Sequence, residues 1–296
     1  MPAMIEKMAH FGAVPWHGQS NELTDPYNIE TSIIESGLDW RVKLVATYCM
    51  AGNELCKTGY NAVVRQSDNK VLSVAGPGWH PLQNAKAFDF FKPWLESGSA
   101  SIEACGSLEG GLRVWVLAKI AMETQEIRPG DNIAAYILLS NAHRQGFAVR
   151  VGFTPIRVVC RNTLQMAHEA SKLIRVFHNR AMTTNLANIR DTMDLASQTF
   201  AATSAQYRKL AAKGISNADV RKYVREVFQT EKDTRTVEDV IRRYLLDPAA
   251  GSVWGAYNGV TEYLSWNGKP ESRTKGAWFG PRVQTGARAL ELALAI

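Results

Sequence analysis

The 296-residue chain lacks any run of about 18 uncharged apolar residues, the length that a membrane-spanning helix needs. Its first residues also lack the apolar stretch of a secretion signal. We therefore expect a cytoplasmic protein that makes no membrane contact. Apolar residues still make up 46% of the chain, which is enough for a substantial hydrophobic core.

Cysteine is scarce, with four residues in the whole chain. They form no C-x-x-C pair, and no histidine follows them at the spacing of a zinc finger. We therefore expect four reduced and mostly buried thiols: Cys49, Cys56, Cys105 and Cys160.

Catalytic signatures are also absent, because the sequence has no phosphate-binding G-x-x-x-x-G-K-[ST], no G-x-G-x-x-G, no H-E-x-x-H and no G-x-S-x-G. We predict no cofactor, no bound metal and no catalytic residue. The acids of the β-rich half fall mostly at turns, where we expect them to face solvent. A metal-dependent nucleic-acid or nucleotide enzyme would need several of these acids to converge, and it stays an alternative: Asp68, Glu103, Glu109, Glu123, Glu126 and Asp131.

The order of patterns predicts an α+β fold, with an antiparallel β-sheet core and packed helices followed by a mostly helical C-terminal half. Short β-rich runs dominate the first half, and one helix is predicted over 81–98 from its apolar spacing. We place the α+β core with its basic strand in residues 1–180. The helical region takes residues 181–296.

A heptad-like stripe marks the start of the helical region, where apolar or small residues recur at steps of three and four. We expect one long helix whose stripe packs on the sheet. A seam between subunits is the alternative interpretation. The stripe consists of Leu186, Ile189, Met193, Ala196, Phe200, Thr203, Tyr207 and Leu210.

Positive charge is concentrated in one segment. The formal net charge is +6, and residues 141–180 alone contain seven Lys or Arg residues against a single acid, Glu169. The rest of the chain is therefore balanced. A strand and its flanks, 140–167, carry four of these arginines and no carboxylate, which indicates a surface for an anionic partner. Ion pairs with carboxylates from other segments are the alternative.

We predict that six cations of this segment contact phosphates, because the arginine guanidinium forms fork-shaped hydrogen bonds and stays charged. A second basic segment, 267–281, mixes cations with aromatic rings, a combination that suits single-stranded nucleic acid. We expect two of its aromatic residues to stack on bases. The predicted contacts are Arg144, Arg150, Arg157, Arg161, Lys172, Arg175, Trp278 and Phe279.

Several strings resemble the phage/plasmid-like protein family that carries the domain of unknown function numbered 932. They are IEKMAHFGAVPWHGQS near the start, GWHPLQN (78–84), GFTPIRVVCRNTLQMA (152–167), SVWGAYNGVTEYLSW and RALELAL. The resemblance covers essentially the whole chain and implies a phage or mobile-element protein in the cytoplasm of a bacterial host. Many relatives look to have a Ser-His pair where this chain has Ala142-His143, so no catalytic role is carried over to His143.

We expect an ATP-independent protein that binds and anneals single-stranded DNA in homologous recombination. The order of helix, antiparallel strands and helix is similar in outline to that of annealing recombinases. Such a protein multiplies weak phosphate contacts by assembling into a homo-oligomeric ring or filament. Besides the metal-dependent enzyme, the second alternative is an interaction protein whose arginines face the acids of a host factor.

Overall fold

The computed structural model describes residues 5–12, 20–157, 174–191, 194–230, 233–267 and 281–296. The fold is mixed α+β, with antiparallel-rich sheets in the first half and helices in the C-terminal half, as predicted. The strands are β1 (Ile5–His10), β2 (Asn21–Glu22), β3 (Val42–Ala51), β4 (Glu54–Arg65), β5 (Val71–Ala75), β6 (Ala100–Leu108), β7 (Arg113–Arg128), β8 (Asp131–Ala142), β9 (Val149–Arg157) and β10 (Ile174–Val176). The helices are α1 (Ile29–Glu35), α2 (Asn84–Asp89), α3 (Lys92–Glu96), α4 (Met182–Asp191), α5 (Asp194–Ala212), α6 (Asn217–Phe228), α7 (Thr234–Leu246), α8 (Val253–Trp266) and α9 (Pro281–Ala295).

Seven strands form the larger sheet in the order β10-β9-β8-β7-β6-β1-β2. All neighbours are antiparallel except the short β1–β2 pair. The centre of this sheet is the β7–β8 hairpin, whose strands are the longest because both are apolar over most of their length. Its turn includes Gly130, with a φ of +76°, a conformation that glycine adopts without strain. Strands β9 and β10 continue the sheet to one edge, which carries much of the basic segment.

Alternate residues of β8 show how the cores are placed on this sheet. Ile137 and Leu139 belong to a core that also contains residues of α2, α3 and α4. Ile133 and Ala135, four and two positions before Ile137, belong to a second core with helices α5 to α9. Because side chains separated by two positions point to the same face of a strand, both cores lie on one face of the sheet. The intervening residues belong to a third buried cluster on the opposite face.

The smaller sheet has the order β3-β4-β5. Strands β3 and β4 form a long hairpin that turns at Gly52 and Asn53, and the half of this hairpin nearest the turn is mostly exposed. The other half packs on the first core through Val42 and Val63. The sheet is therefore anchored at one end and extends away from the body at the other.

The single helix predicted over 81–98 is wrong in one respect, because the segment forms two short helices, α2 and α3. Pro93 lies in the first turn of α3. Proline has no backbone N–H and its ring crowds the preceding turn, so it begins a helix readily but cannot continue one. Phe88 and Phe91 still reach the same core, which explains why the apolar spacing reads as one helix.

The heptad-like stripe is distributed over α4 and α5, and residues 192–193 between them are not described. Leu186 joins the first core, while Phe200, Tyr207 and Leu210 are buried in the second, against the sheet and helix α8. These four residues pack inside the protein, as expected for a stripe that faces the sheet, while Met193 and the side chain of Ala196 lie outside the described part. Among the described residues, no helix combines the length and apolar content required to cross a bilayer.

Helix α8 lies at the centre of the helical half, and most of its residues are buried. Its Trp254 ring packs against Tyr207 and Tyr257, and its indole N–H donates to the Asp131 carboxylate at 2.9 Å. Asp131 is the first residue of β8 and is 3% exposed, so this bond joins the sheet to the helices in a buried setting. The prediction that Asp131 faces solvent is therefore wrong.

Candidate nucleic-acid interface

Two arginines of the basic segment face each other across neighbouring strands. Arg150 on β9 pairs in register with Arg175 on β10. On the other side of β9, Arg150 pairs in register with Ser140 on β8. Directly opposite residues of an antiparallel pair have their side chains on the same face, about 5 Å apart at Cβ. Arg175 is exposed and Arg150 is partly buried. Among the described residues, no carboxylate lies within ion-pair distance of either guanidinium.

The pairing changes the pKa of Arg150. Burial and the guanidinium of Arg175 lower its pKa, because both disfavour a second positive charge at that place. Like charges that face each other directly across strands destabilise a sheet. An anion bound between the two guanidiniums would remove this repulsion.

A buried arginine, Arg65, shows how the same protein balances a guanidinium charge elsewhere. Arg65 on β4 pairs with Glu6 at 2.9 Å and with Asp68 at 2.6 Å, and its guanidinium lies 5.3 Å from the centre of the Trp40 ring. The two carboxylates raise the pKa of Arg65. Arg150 and Arg175 differ from Arg65 in this respect, because no carboxylate of the described residues pairs with either of them.

Two residues that the sequence analysis did not identify, Arg113 and Phe147, lie beside these arginines. Arg113, the first residue of β7, lies with its guanidinium 5.3 Å from the ring centre of Phe147, and Arg144 lies 5.4 Å from the same ring. Phe147 therefore contacts two guanidiniums through its π-system. Arg150 lowers the pKa of Arg113, after the larger effect of burial, so the two cations are electrostatic neighbours.

We call the connected set Arg113, Arg144, Phe147, Arg150 and Arg175 the arginine patch. It runs from the β8–β9 loop across the sheet face to the edge strand β10. Glu109 lies 3.7 Å from Arg113 and raises its pKa, which partly offsets the positive charge at one end. Arg113 is itself buried, so the positive charge that the patch presents to solvent lies on Arg144, Arg150 and Arg175.

The β8–β9 loop that carries Arg144 is fixed to the smaller sheet by two hydrogen bonds. The Ser73 hydroxyl donates to the carbonyl of His143 at 2.6 Å, and the Gly76 N–H donates to the Gln145 side chain, also at 2.6 Å. An open groove of about 580 Å³ runs between this loop and strand β5. Arg144 is exposed and is one of the residues that line this groove.

Two histidines near the patch are buried and serve the fold. The His143 ring is fully buried beside Trp40, bonds to Asn84 at 3.0 Å, and has its pKa lowered to about 3 by burial, with a smaller effect from His178. His178 stacks on Trp79 with 5.0 Å between ring centres. Both imidazoles are therefore neutral at physiological pH. Neither has the exposure that a general acid or base acting on a polymer requires.

The structure brings three of the eight predicted contact residues together: Arg144, Arg150 and Arg175. Arg157 ends β9, where its backbone pairs with Ile133, and its side chain is not described. The other four lie outside the described residues: Arg161, Lys172, Trp278 and Phe279. Arg113 precedes the apolar run 114–118 of β7, but nothing in the sequence near it points to the basic segment, because the two meet only through strand pairing.

The acids proposed for a metal-dependent enzyme do not converge in the described part of the chain. Asp68 is held by Arg65, and Asp131 is buried against Trp254. The described residues contain no group of three or more His, Cys, Asp or Glu side chains that could hold a metal ion. The arginine patch is therefore the site for which the structure gives the clearest geometry.

These features define an α+β protein with a cationic face on its larger sheet. The chain belongs to the family of the domain of unknown function DUF932, whose model matches residues 71–289. The matched range contains the complete arginine patch and almost all of the helical half, while strands β1 to β4 precede it. No curated protein and no solved structure matches the chain.

Proposed function

We propose that this protein binds single-stranded DNA through the arginine patch. The observation that carries the proposal is the pair Arg150 and Arg175, two guanidiniums opposite each other on adjacent strands without a described carboxylate between them. Phosphate oxygens accept the paired hydrogen bonds that a guanidinium donates, and arginine cannot escape repulsion by losing its proton. A phosphate between these side chains therefore satisfies both.

The extent of the patch suits a chain of phosphates better than a single small anion. Neighbouring strands lie about 4.8 Å apart, so the strands of Arg113 and Arg175, which are three steps apart in the sheet, are separated by roughly 14 Å. Arg144 extends the positive surface further on the side of the β8–β9 loop. Stacked nucleic acid places one phosphate per about 3.4 Å along each strand, so several phosphates fit this span.

Phe147 adds the aromatic element that distinguishes a single-strand site from a purely electrostatic one. Its ring is partly buried and lies between Arg113 and Arg144. The guanidinium of Arg144 is exposed and can follow a phosphate away from the ring. An unstacked base can then take its place on the ring face, and such stacking contributes about 1–3 kcal/mol for each base.

The finer proposal is that binding serves ATP-independent annealing during recombination in a phage or mobile element. The three solvent-accessible arginines of one subunit, Arg144, Arg150 and Arg175, give a salt slope of only about −2, which corresponds to weak binding. A homo-oligomeric ring or filament would repeat the patch along one DNA strand and raise the overall affinity without new contacts. Base edges must remain free in this arrangement, because they pair with the complementary strand.

The test is a fluorescence-anisotropy titration of labelled single- and double-stranded oligonucleotides against wild type, Arg150→Ala, Arg175→Ala and Arg221→Ala over a range of salt concentrations. Each patch variant should reduce the slope of log K against log salt by about 0.7, the loss of one single-strand contact. Arg221 lies on α6 in an ion pair with Glu238, so its variant should bind as wild type does. Equal slopes for all four proteins would contradict the proposal.

Annealing is tested separately with two complementary labelled strands and no nucleotide. Acceleration of duplex formation by wild type, lost in Arg150→Ala, is the expected result. Binding without acceleration would reject annealing and leave the binding proposal intact. Parallel reactions with and without magnesium report strand cleavage, which would instead support the metal-dependent enzyme.

A further inference from the structure

Two cysteines face each other at the outer end of the β3–β4 hairpin. Cys49 on β3 is the register partner of Cys56 on β4, and Ala51 and Glu54 are the pair that closes the turn. Gly52, with a φ of +64°, occupies the first position of this two-residue turn, which type II′ hairpins reserve for glycine. The turn fixes the register, and the register places the two thiols opposite each other.

The separation of the two residues matches that of a disulfide. Directly opposite residues in an antiparallel pair have Cα atoms about 4.5 to 5.5 Å apart, depending on whether the pair is hydrogen-bonded. Disulfides join Cα atoms that are about 4.4 to 6.8 Å apart. Both kinds of antiparallel pair fall within this range. Bond formation therefore requires rotation of the two side chains and little movement of the strands.

The two thiols are also accessible, contrary to the expectation of mostly buried cysteines. Cys49 is exposed and Cys56 is partly exposed, while Cys105 is fully buried in the first core. Burial raises the pKa of Cys105 to about 12, which suppresses its reactive thiolate. A reagent in solution therefore reaches the hairpin pair and not Cys105.

We propose that Cys49 and Cys56 form a reversible intramolecular disulfide by exchange with a small-molecule disulfide. The Cys49 thiolate attacks one sulfur of the reagent, forms a mixed disulfide and releases a first small thiolate. The Cys56 thiolate then attacks the Cys49 sulfur, closes the protein disulfide and releases a second. The two protons lost by the cysteines pass to the two small thiolates. The protein is oxidised by two electrons, and the reagent is reduced by two.

The bond would lock the part of the hairpin that protrudes from the body. The opposite face of the same segment carries three large side chains with more than half of their surface exposed, which are Tyr48, Met50 and Leu55. In the reduced protein the two arms are held together by main-chain pairing and, on the body side of the cysteine pair, by side-chain hydrogen bonds of Thr47 and Thr58. The cysteine pair precedes the range that the family model matches, so the proposed switch is a property of this chain outside the shared domain.

The experiment uses the full chain, equilibrated with mixtures of oxidised and reduced glutathione, alkylated under native conditions and digested with trypsin. Trypsin cleaves after Lys43 and after Lys57 and so releases a peptide, 44–57, that contains both cysteines. In oxidising mixtures this peptide should escape alkylation and appear two hydrogen masses below its reduced form. Excess reductant should restore two alkylatable thiols, and the transition should follow the glutathione ratio.

Two variants separate an internal bond from other oxidation products. Cys49→Ser and Cys56→Ser should each carry one glutathione on the remaining thiol, because the second exchange step has lost its attacking group. Disulfide-linked dimers of wild type on a non-reducing gel, or wild-type peptide 44–57 bearing two glutathiones, would overturn the proposal. Two fully alkylated thiols in the most oxidising mixture would overturn it as well.

Discussion

The substitution Arg175→Glu should stabilise the free protein, although it removes a proposed DNA contact. It replaces a like-charge pair across β9 and β10 with an opposite-charge pair at the same register position. Each such pair contributes roughly 0.2–1 kcal/mol, so loss of the repulsion and gain of the attraction together give about 0.5–1.5 kcal/mol. For a chain of this size the melting temperature should rise by roughly 1–4 °C.

Thermal unfolding at low and high salt measures this effect. Arg175 is exposed, so salt screens its interaction, and the advantage of the variant should shrink as ionic strength increases. The matched control is Arg221→Glu, which changes the net charge by the same amount but destroys an exposed ion pair with Glu238. The control should melt below wild type. The two variants should therefore shift stability in opposite directions.

Single-strand binding by the same two variants completes the test. Arg175→Glu should bind more weakly than wild type, and Arg221→Glu should bind nearly as wild type does, because only the first charge lies in the arginine patch. Stability and affinity thus change in opposite directions at one residue, as expected where a site is kept electrostatically strained for its ligand. A lower melting temperature for Arg175→Glu at low salt would refute the reasoning about the Arg150–Arg175 pair.

Two further predictions concern buried polar groups. Burial lowers the pKa of His143 to about 3 from its ordinary value near 6.5. Between these two pH values the unfolded protein binds a proton at this residue and the folded protein does not. The free energy of unfolding should fall by about 1.4 kcal/mol per pH unit from this residue between pH 6 and 4, and urea titrations of His143→Gln should show that part of the slope removed. The substitution Asp131→Ala removes the acceptor of the buried Trp254 indole N–H, and it should lower the free energy of unfolding in urea by about 1–3 kcal/mol. Asp131→Asn keeps an acceptor oxygen and should lose less. Equal losses for the two variants would contradict a role for this bond.

The sequence predicts the central strands well because each has a face that must be buried. β9 alternates around Val149 and Val151, whereas β8 is buried on both faces and shows a continuous apolar run over 133–139. The outer half of β4 has no such signal in the sequence. Residues 54–59 are exposed or nearly so on both faces, and a strand without a buried face leaves no alternation to detect.

The arginine patch is only partly predictable from the sequence. Clustering of charge along the chain is visible in the sequence, whereas the register that brings distant strands together is not. Arg144 and Arg150 are close in sequence, and their shared excess of charge is visible at once. Arg113 joins them only through the pairing of β7 with β8 and of β8 with β9, which long-range packing decides. The same dependence hides the contact of Phe147 with two cations.

The shared core of sheet and helices bears on how the chain can be divided. Ile127, Ile133 and Ala135 of the sheet are buried among helices α5 to α9, and the Asp131–Trp254 bond crosses the same boundary. A fragment cut after residue 180 would expose the apolar sheet surface on one piece and the apolar helix surface on the other. Truncation is therefore a poor way to separate the cationic face from the helical half, whereas point changes on the surface leave this joint undisturbed.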